Sequence, residues 1–156
     1  MRATTLCYLE RNGQYLMLHR IRKQNDPNHD KWIGVGGGIE PGETPEECLV
    51  REVREETGLS LTGYTKRGVI DFVSDTWEDE VMHLYTAEQW TGEITDCDEG
   101  VLEWVDKDKI VSLPLWEGDK VFLGLLSQDA PYFRLRLEYH GEKLMKAILN
   151  GKEINI

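Results

Sequence analysis

Long apolar runs are missing from this sequence. The apolar residues come in short stretches such as Tyr15-Leu16-Met17-Leu18, too short to cross a bilayer as a helix, so no membrane partner is expected. Cysteine is scarce. Cys7, Cys48 and Cys97 are an odd count with no CxxC pair, which excludes a zinc ribbon and suits a reducing compartment. Positive charge is in deficit: 18 Lys and Arg stand against 29 Asp and Glu, a net charge of −11. Such a surface repels nucleic-acid polymers, and it repels a phosphorylated small molecule too unless cations intervene. Internal repeats, low-complexity tracts and linkers are also missing. Residues Met1 to Leu6 enter a strand-like pattern at once, without the basic and apolar regions of a signal peptide, and a cytoplasmic location is the expectation.

What is present fits one compact domain over residues 1–156, and five Trp with six Tyr argue against disorder. Thr4 to Glu10 and Gln14 to Arg20 read as two strands joined at Asn12-Gly13, a hairpin signal. Gln24 to Lys31 is polar, contains Pro27 and reads as a loop. Trp32 to Ile39 is apolar and glycine-rich. Thr44 then opens a helix as N-cap, with Pro45 at the first helical position and Glu47 completing a capping box; the helix runs to Thr57 and stops at Gly58. Tyr64 to Ser74 and Glu80 to Trp90 form a second strand pair, and Val101 to Val105 a short strand. Trp116 to Ser127 suits a helix with Val121, Phe122, Leu125 and Leu126 inward; Tyr132 to His140 reads as a last strand, and Glu142 to Leu149 as a closing helix. The order implies a mixed sheet between helices, an α/β class.

The chemistry concentrates between Gly37 and Leu59. On a helix, Glu52, Glu55 and Glu56 share one face, where like charges repel by a few tenths of a kcal/mol per pair. Leu49, Val50 and Val53 lie on the neighbouring face and can pack on a sheet. By itself such a cluster is usually a solvated acidic face. Here Gly36, Gly37 and Gly38 put bare backbone just ahead of it, and hard divalent cations seek oxygen ligands of this kind. Glu43 precedes Arg51, so the two can brace the loop against the helix.

Gly37, Glu43, Arg51-Glu52-Val53, Glu55-Glu56 and Gly58-Leu59 fill all nine specified positions of the Nudix box, and the chain resembles that family. The resemblance implies a Nudix-type α/β/α sandwich with a mixed β-sheet, and hydrolysis of a nucleoside diphosphate linked to another moiety. It implies Mg²⁺, with Mn²⁺ as the alternative, held by Glu52, Glu55, Glu56 and the Gly36 carbonyl. Gly37, Glu43, Arg51 and Gly58 take structural roles. Glu99, in Asp96-Cys97-Asp98-Glu99-Gly100, resembles the loop glutamate that serves as ligand or base in many members, with Glu56 as the rival base and an ordinary acidic turn as the plain alternative. Arg20, Arg22 and Lys23 are either phosphate contacts or solvated charges.

Trp116-Glu117-Gly118-Asp119 resembles the Trp-x-x-Asp segment of the MutT-like oxidised-purine nucleoside triphosphatase group, the 8-oxo-dGTP diphosphatases. That likeness implies that Trp116 stacks on the base and Asp119 bonds its edge, against the alternative of Trp116 as a core anchor. Trp32 also stands where that group has a Trp. Three positions depart from the group: Ile33 replaces its Asn, Gly38 its Lys and Gly118 its second Asp. The implied substrate is an oxidised purine triphosphate; the alternatives are a dinucleoside polyphosphate, a nucleotide sugar, or a non-catalytic sensor. The partner is a small nucleotide, and the chain is a monomer or homodimer. Cys48 reads as a small filler on the carboxylate side of the helix, and His19, His29, His83 and His140 form no ligand spacing.

Overall fold

The computed structural model describes residues 1–22, 26 and 28–156. Ten strands form one hydrogen-bonded system: β1 (Arg2–Arg11), β2 (Gln14–His19), β3 (Trp32–Ile33), β4 (Val35–Gly38), β5 (Ser60–Ser74), β6 (Glu80–Thr91), β7 (Val101–Asp106), β8 (Phe133–His140), β9 (Lys143–Leu149) and β10 (Lys152–Ile154). Helix α1 (Pro45–Thr57) follows β4, and α2 (Glu117–Ser127) precedes β8. The sheet is mixed, because β1 runs parallel to β6 and β5 parallel to β8 while the remaining neighbours are antiparallel.

Alternation along the strands builds two cores. In β1, Leu6 and Tyr8 join Phe122 and Leu123 of α2, whereas Cys7 and Leu9 join Leu49 and Val53 of α1. Strand β2 does the same with Met17 and Leu16. The helices therefore cover opposite faces. On α2, Phe122 is fully buried as the periodicity predicts, while Leu123 is covered more than Val121, Leu125 and Leu126.

The Asn12-Gly13 hairpin forms, with both residues at positive φ, but its ladder holds only at Glu10↔Tyr15 and Arg11↔Gln14. Beyond it β1 turns to β4 and β6 while β2 turns to β3 and β7. Helix α1 has the expected start and stop. Thr44 Oγ1 accepts from the Glu47 N–H, the Glu47 carboxylate accepts from the Thr44 N–H, and Gly58 closes the helix at φ 82°.

The expected closing helix over Glu142 to Leu149 is instead strand β9, and β8 is not the last strand. Leu144 pairs with Tyr139 and Lys146 with Glu138, so Met145 bulges out of the ladder. The bulge moves the inward positions from Leu144 to Ala147, a spacing of three that imitates a helix face. Asn150-Gly151, both at positive φ, then turns the chain into β10.

The two cores predict distinct core losses. Phe122→Ala should lower unfolding free energy by roughly 3–5 kcal/mol and Leu49→Ala by roughly 2–5 kcal/mol, read from urea titrations at constant m-value.

Candidate active site

Strand β4 is the hinge between sheet and helix. It pairs with β1 through Thr4↔Gly38, Thr5↔Gly37, Leu6↔Gly36 and Cys7↔Val35, and α1 packs against it. A Cβ on Gly36 would overlap the Thr5 carbonyl. A Cβ on Gly37 would stand 2.6 Å from both carboxylate oxygens of Glu52. Close backbone approach requires glycine at 36, and the room that Gly37 leaves is where the Glu52 carboxylate lies.

The three helix glutamates occupy different environments. Glu56 is 7% exposed. Its Oε1 accepts from the Gly36 N–H at 2.8 Å, and its Oε2 is buried without a hydrogen-bond partner. Burial lifts its pKa to about 8, the Gly36 N–H opposes, and the nearby Glu99 and Glu52 charges add to the rise. Burial also raises Glu52, against the pull of Arg51. Glu55 is exposed.

Arg51 organises this face. Its guanidinium donates to both oxygens of Glu43 at 2.7 and 2.9 Å, to Glu52 at 2.8 Å, to Glu55 at 3.2 Å and to the Gly38 carbonyl at 3.1 Å. The contact holds the Glu43 carboxyl down at about 2. Cys48 is buried beside this network, its thiol near Thr5 Oγ1 and the Gly37 and Gly38 carbonyls, a packing role. Among the described residues no three His, Cys, Asp or Glu side chains already converge on one point, since Arg51 draws Glu52 and Glu55 to itself. Two features nevertheless fit a divalent cation: the unpaired buried oxygen of Glu56 and the cradle at Gly37 that seats Glu52.

Glu99 approaches the same face from the turn before β7, closely enough for its charge to act on Glu56. Arg20 at the end of β2 grips it at 2.9 Å and also bonds Asp26 at 2.7 Å. Arg22 donates to the Cys97 carbonyl. Arg20 and Arg22 are thus engaged in holding the Glu99 turn, a role that spacing along the chain does not reveal. Lys23 lies outside the described residues, as do Gln24, Asn25 and Pro27 of the expected loop.

A second cluster lies on the α2 face of the sheet. Trp116, the N-cap of α2, is 5% exposed and meets Phe72 and Tyr139 edge-on at 5.9 and 5.5 Å. Its Nε1 donates to Asn28 Oδ1 at 2.7 Å, and Lys31 Nζ lies 5.3 Å from its ring centre. Asp119 is buried beside it, and burial lifts its pKa to about 8, with the Glu80 charge adding to the rise and Lys31 opposing. The sequence motif named Trp116 and Asp119, but not the floor beneath them. Strand alternation puts Thr4 and Leu6 of β1, Glu80 and Met82 of β6 and Phe72 of β5 on this one face.

Trp32 packs against the same cluster and stacks on His19 at 4.3 Å. Ile33, in contrast, packs into the α1-side core. Gly118 donates to the Tyr139 hydroxyl at 2.6 Å, and a Cβ there would stand 2.6 Å from both Leu137 and that hydroxyl. Position 118 therefore has no room for a second aspartate. A cleft of about 840 Å³ runs along the outer flank of α1 between Arg51, Arg54, Glu55 and Tyr64, and includes neither Trp116 nor Asp119.

Residues 1–126 match the NUDIX domain. The Bacillus subtilis (strain 168) protein named Uncharacterized Nudix hydrolase YvcI is 30% identical over 124 residues, 76% of this chain and 75% of that protein. The Oxidized purine nucleoside triphosphate hydrolase of Danio rerio is 36% identical over 100 residues, 63% of this chain and 64% of its own length. The crystal structure of a mutator MutT protein from Bacillus halodurans superposes with a TM-score of 0.85 at 25% identity, over 96% of this chain and 98% of that one. The glycine strand that seats the α1 carboxylates thus lies inside the matched region, and the chain belongs to the Nudix hydrolase family.

Proposed function

We propose that the chain hydrolyses a purine nucleoside triphosphate, with an oxidised purine such as 8-oxo-dGTP preferred, to the monophosphate and pyrophosphate. The observation that carries this reading is the buried Asp119 carboxyl beside the Trp116 ring, on the face where no metal chemistry is needed to explain either. A planar base gains from an aromatic face, and a carboxyl that keeps its proton near neutral pH is both donor and acceptor toward a base edge. Trp32 adds a second aromatic wall. Asn28 and Lys31 cover Trp116, so entry of a base displaces them from the ring. Likeness to the Danio rerio enzyme supports the substrate class.

In this reading Glu52, Glu55, Glu56 and the Gly36 carbonyl hold a divalent cation, Mg²⁺ or Mn²⁺. When bound, it offsets the charge that builds on the phosphate oxygens as the anhydride opens. Either Glu99, which Arg20 steadies, or Glu56 takes the proton from the attacking water. Gly37, Glu43, Arg51 and Gly58 keep loop and helix in register. Phosphate contact by Lys23 also belongs to this proposal.

A pyrophosphatase-coupled phosphate-release assay with Mg²⁺ across a nucleotide panel tests the reading; turnover confined to nucleotide sugars or dinucleoside polyphosphates would overturn the substrate. Glu55→Gln and Glu56→Gln should each lower kcat by about 10²-fold or more while circular dichroism stays unchanged. Excess chelator should abolish turnover in the native protein.

The base pocket makes separate predictions. Trp116→Ala should raise KM for purine triphosphates about tenfold, because stacking on a base contributes roughly 1–3 kcal/mol. Asp119→Asn should cut the preference for the oxidised over the normal purine, measured as a ratio of kcat/KM.

Asp119 also makes stability depend on pH. Its folded pKa of about 8 lies above the unfolded value near 4, so the folded state holds the extra proton between them. That contribution is complete below about pH 4 and is lost as pH rises toward about 8. Urea titrations in chelator at pH 5 and pH 8 should show a smaller loss of stability for Asp119→Asn than for the native chain. An equal loss would mean that Asp119 is already ionised at the lower pH.

A further inference from the structure

Among the described basic side chains near the site, Arg2 and Arg54 have no ion pair or side-chain hydrogen bond, and Arg54 lines the outer flank of α1, in the cleft that includes neither Trp116 nor Asp119. Arg51 is shared among Glu43, Glu52 and Glu55, Arg20 between Asp26 and Glu99, Arg22 goes to the Cys97 carbonyl, and Lys31 pairs with Glu142 at 2.7 Å. Arg2 is exposed and has no ion pair or side-chain hydrogen bond among the described residues. Its register partner on β6, Glu80, accepts instead from Thr4 Oγ1 at 2.8 Å.

The guanidinium of Arg2 lies over bare backbone. A Cβ on Gly38 would stand 3.4 Å from Arg2 Nη2 and 3.7 Å from Nε, so any longer side chain at 38 would take the space above the guanidinium. Strand register fixes the face. Arg2, Thr4 and Leu6 alternate with Ala3 and Thr5, and Leu6 belongs to the cluster of Trp116. Arg2 is therefore at the rim of the face that carries Trp116 and Asp119. One residue along β4, Gly37 opens to the other face and to the Glu52 carboxylate. A nucleotide with its base on Trp116 and its phosphates at α1 has to pass this rim.

We propose that Arg2 binds the phosphate nearest the sugar, supplying the positive charge between the base pocket and the carboxylate helix. A planar guanidinium matches two phosphate oxygens at once, and an acidic protein has most need of it where no resident cation reaches. The open backbone at Gly38 gives the phosphate access to the fork. This inference rests on the base-pocket reading above.

Calorimetry on the full chain in excess chelator, with 8-oxo-deoxyguanosine and its 5′-monophosphate as probes, separates the two. Arg2→Ala should weaken the monophosphate about tenfold or more and leave the nucleoside unchanged. Arg2→Lys should recover part of the loss, because an ammonium supplies charge without the fork. An unchanged monophosphate affinity in Arg2→Ala, or an equal loss for nucleoside and monophosphate, would overturn the role of Arg2 while leaving the pocket standing. Failure of the native chain to bind either probe would overturn the pocket and the proposal together.

Discussion

The close approach of β4 to β1 on one side and to α1 on the other is the constraint on which the site depends. A side chain on Gly36 would collide with the Thr5 carbonyl, and one on Gly37 would push the Glu52 carboxylate from its seat. With both bare, the helix can lie against the strand, and a backbone N–H reaches Glu56. That contact buries Glu56 and leaves one oxygen unpaired, and burial is the main reason for its raised pKa. The same packing brings Leu49 and Val53 onto the sheet, so core and chemistry are held by one contact.

Charge is managed locally. A chain of net charge −11 gathers three glutamates on one helix turn pair, and Arg51 answers two of them, Glu52 and Glu55, with a guanidinium that also holds Glu43 and the Gly38 carbonyl. Arg20 does the same for Glu99 and Asp26. These cations steady the acidic groups, and their fixed geometry keeps the carboxylates on one side of the sheet. Trp116 and Asp119 face the other side, where the acid is isolated by burial. Gly36 to Gly38 of β4, bare on both faces, lie between the two sides.

The family likeness and this geometry address different questions. The match over residues 1–126 and the fold likeness to the Bacillus halodurans protein establish a Nudix hydrolase. The departures at Ile33 and Gly118 have structural reasons. Ile33 packs into the α1-side core, and the Tyr139 hydroxyl and Leu137 fill the space that a side chain at 118 would need. In the proposed reading a base on Trp116 therefore meets fewer polar groups, with the buried Asp119 foremost among them.

The sequence by itself determined helix α1 and the carboxylate face, because caps and i, i+3, i+4 spacing are local and need no distant partner. It also determined the Asn12-Gly13 hairpin, since two residues at positive φ select that turn. Only the tertiary structure decided β9, where a bulge at Met145 gave a strand the spacing of a helix. It alone decided that Arg20 holds Glu99 across 79 residues, and that Phe72, which meets Trp116, shares a sheet face with Thr4 and Glu80. It also set the ionisation of Glu56 and Asp119, for a pKa depends on how completely water is removed, and that is a property of residues brought together from far apart in the chain.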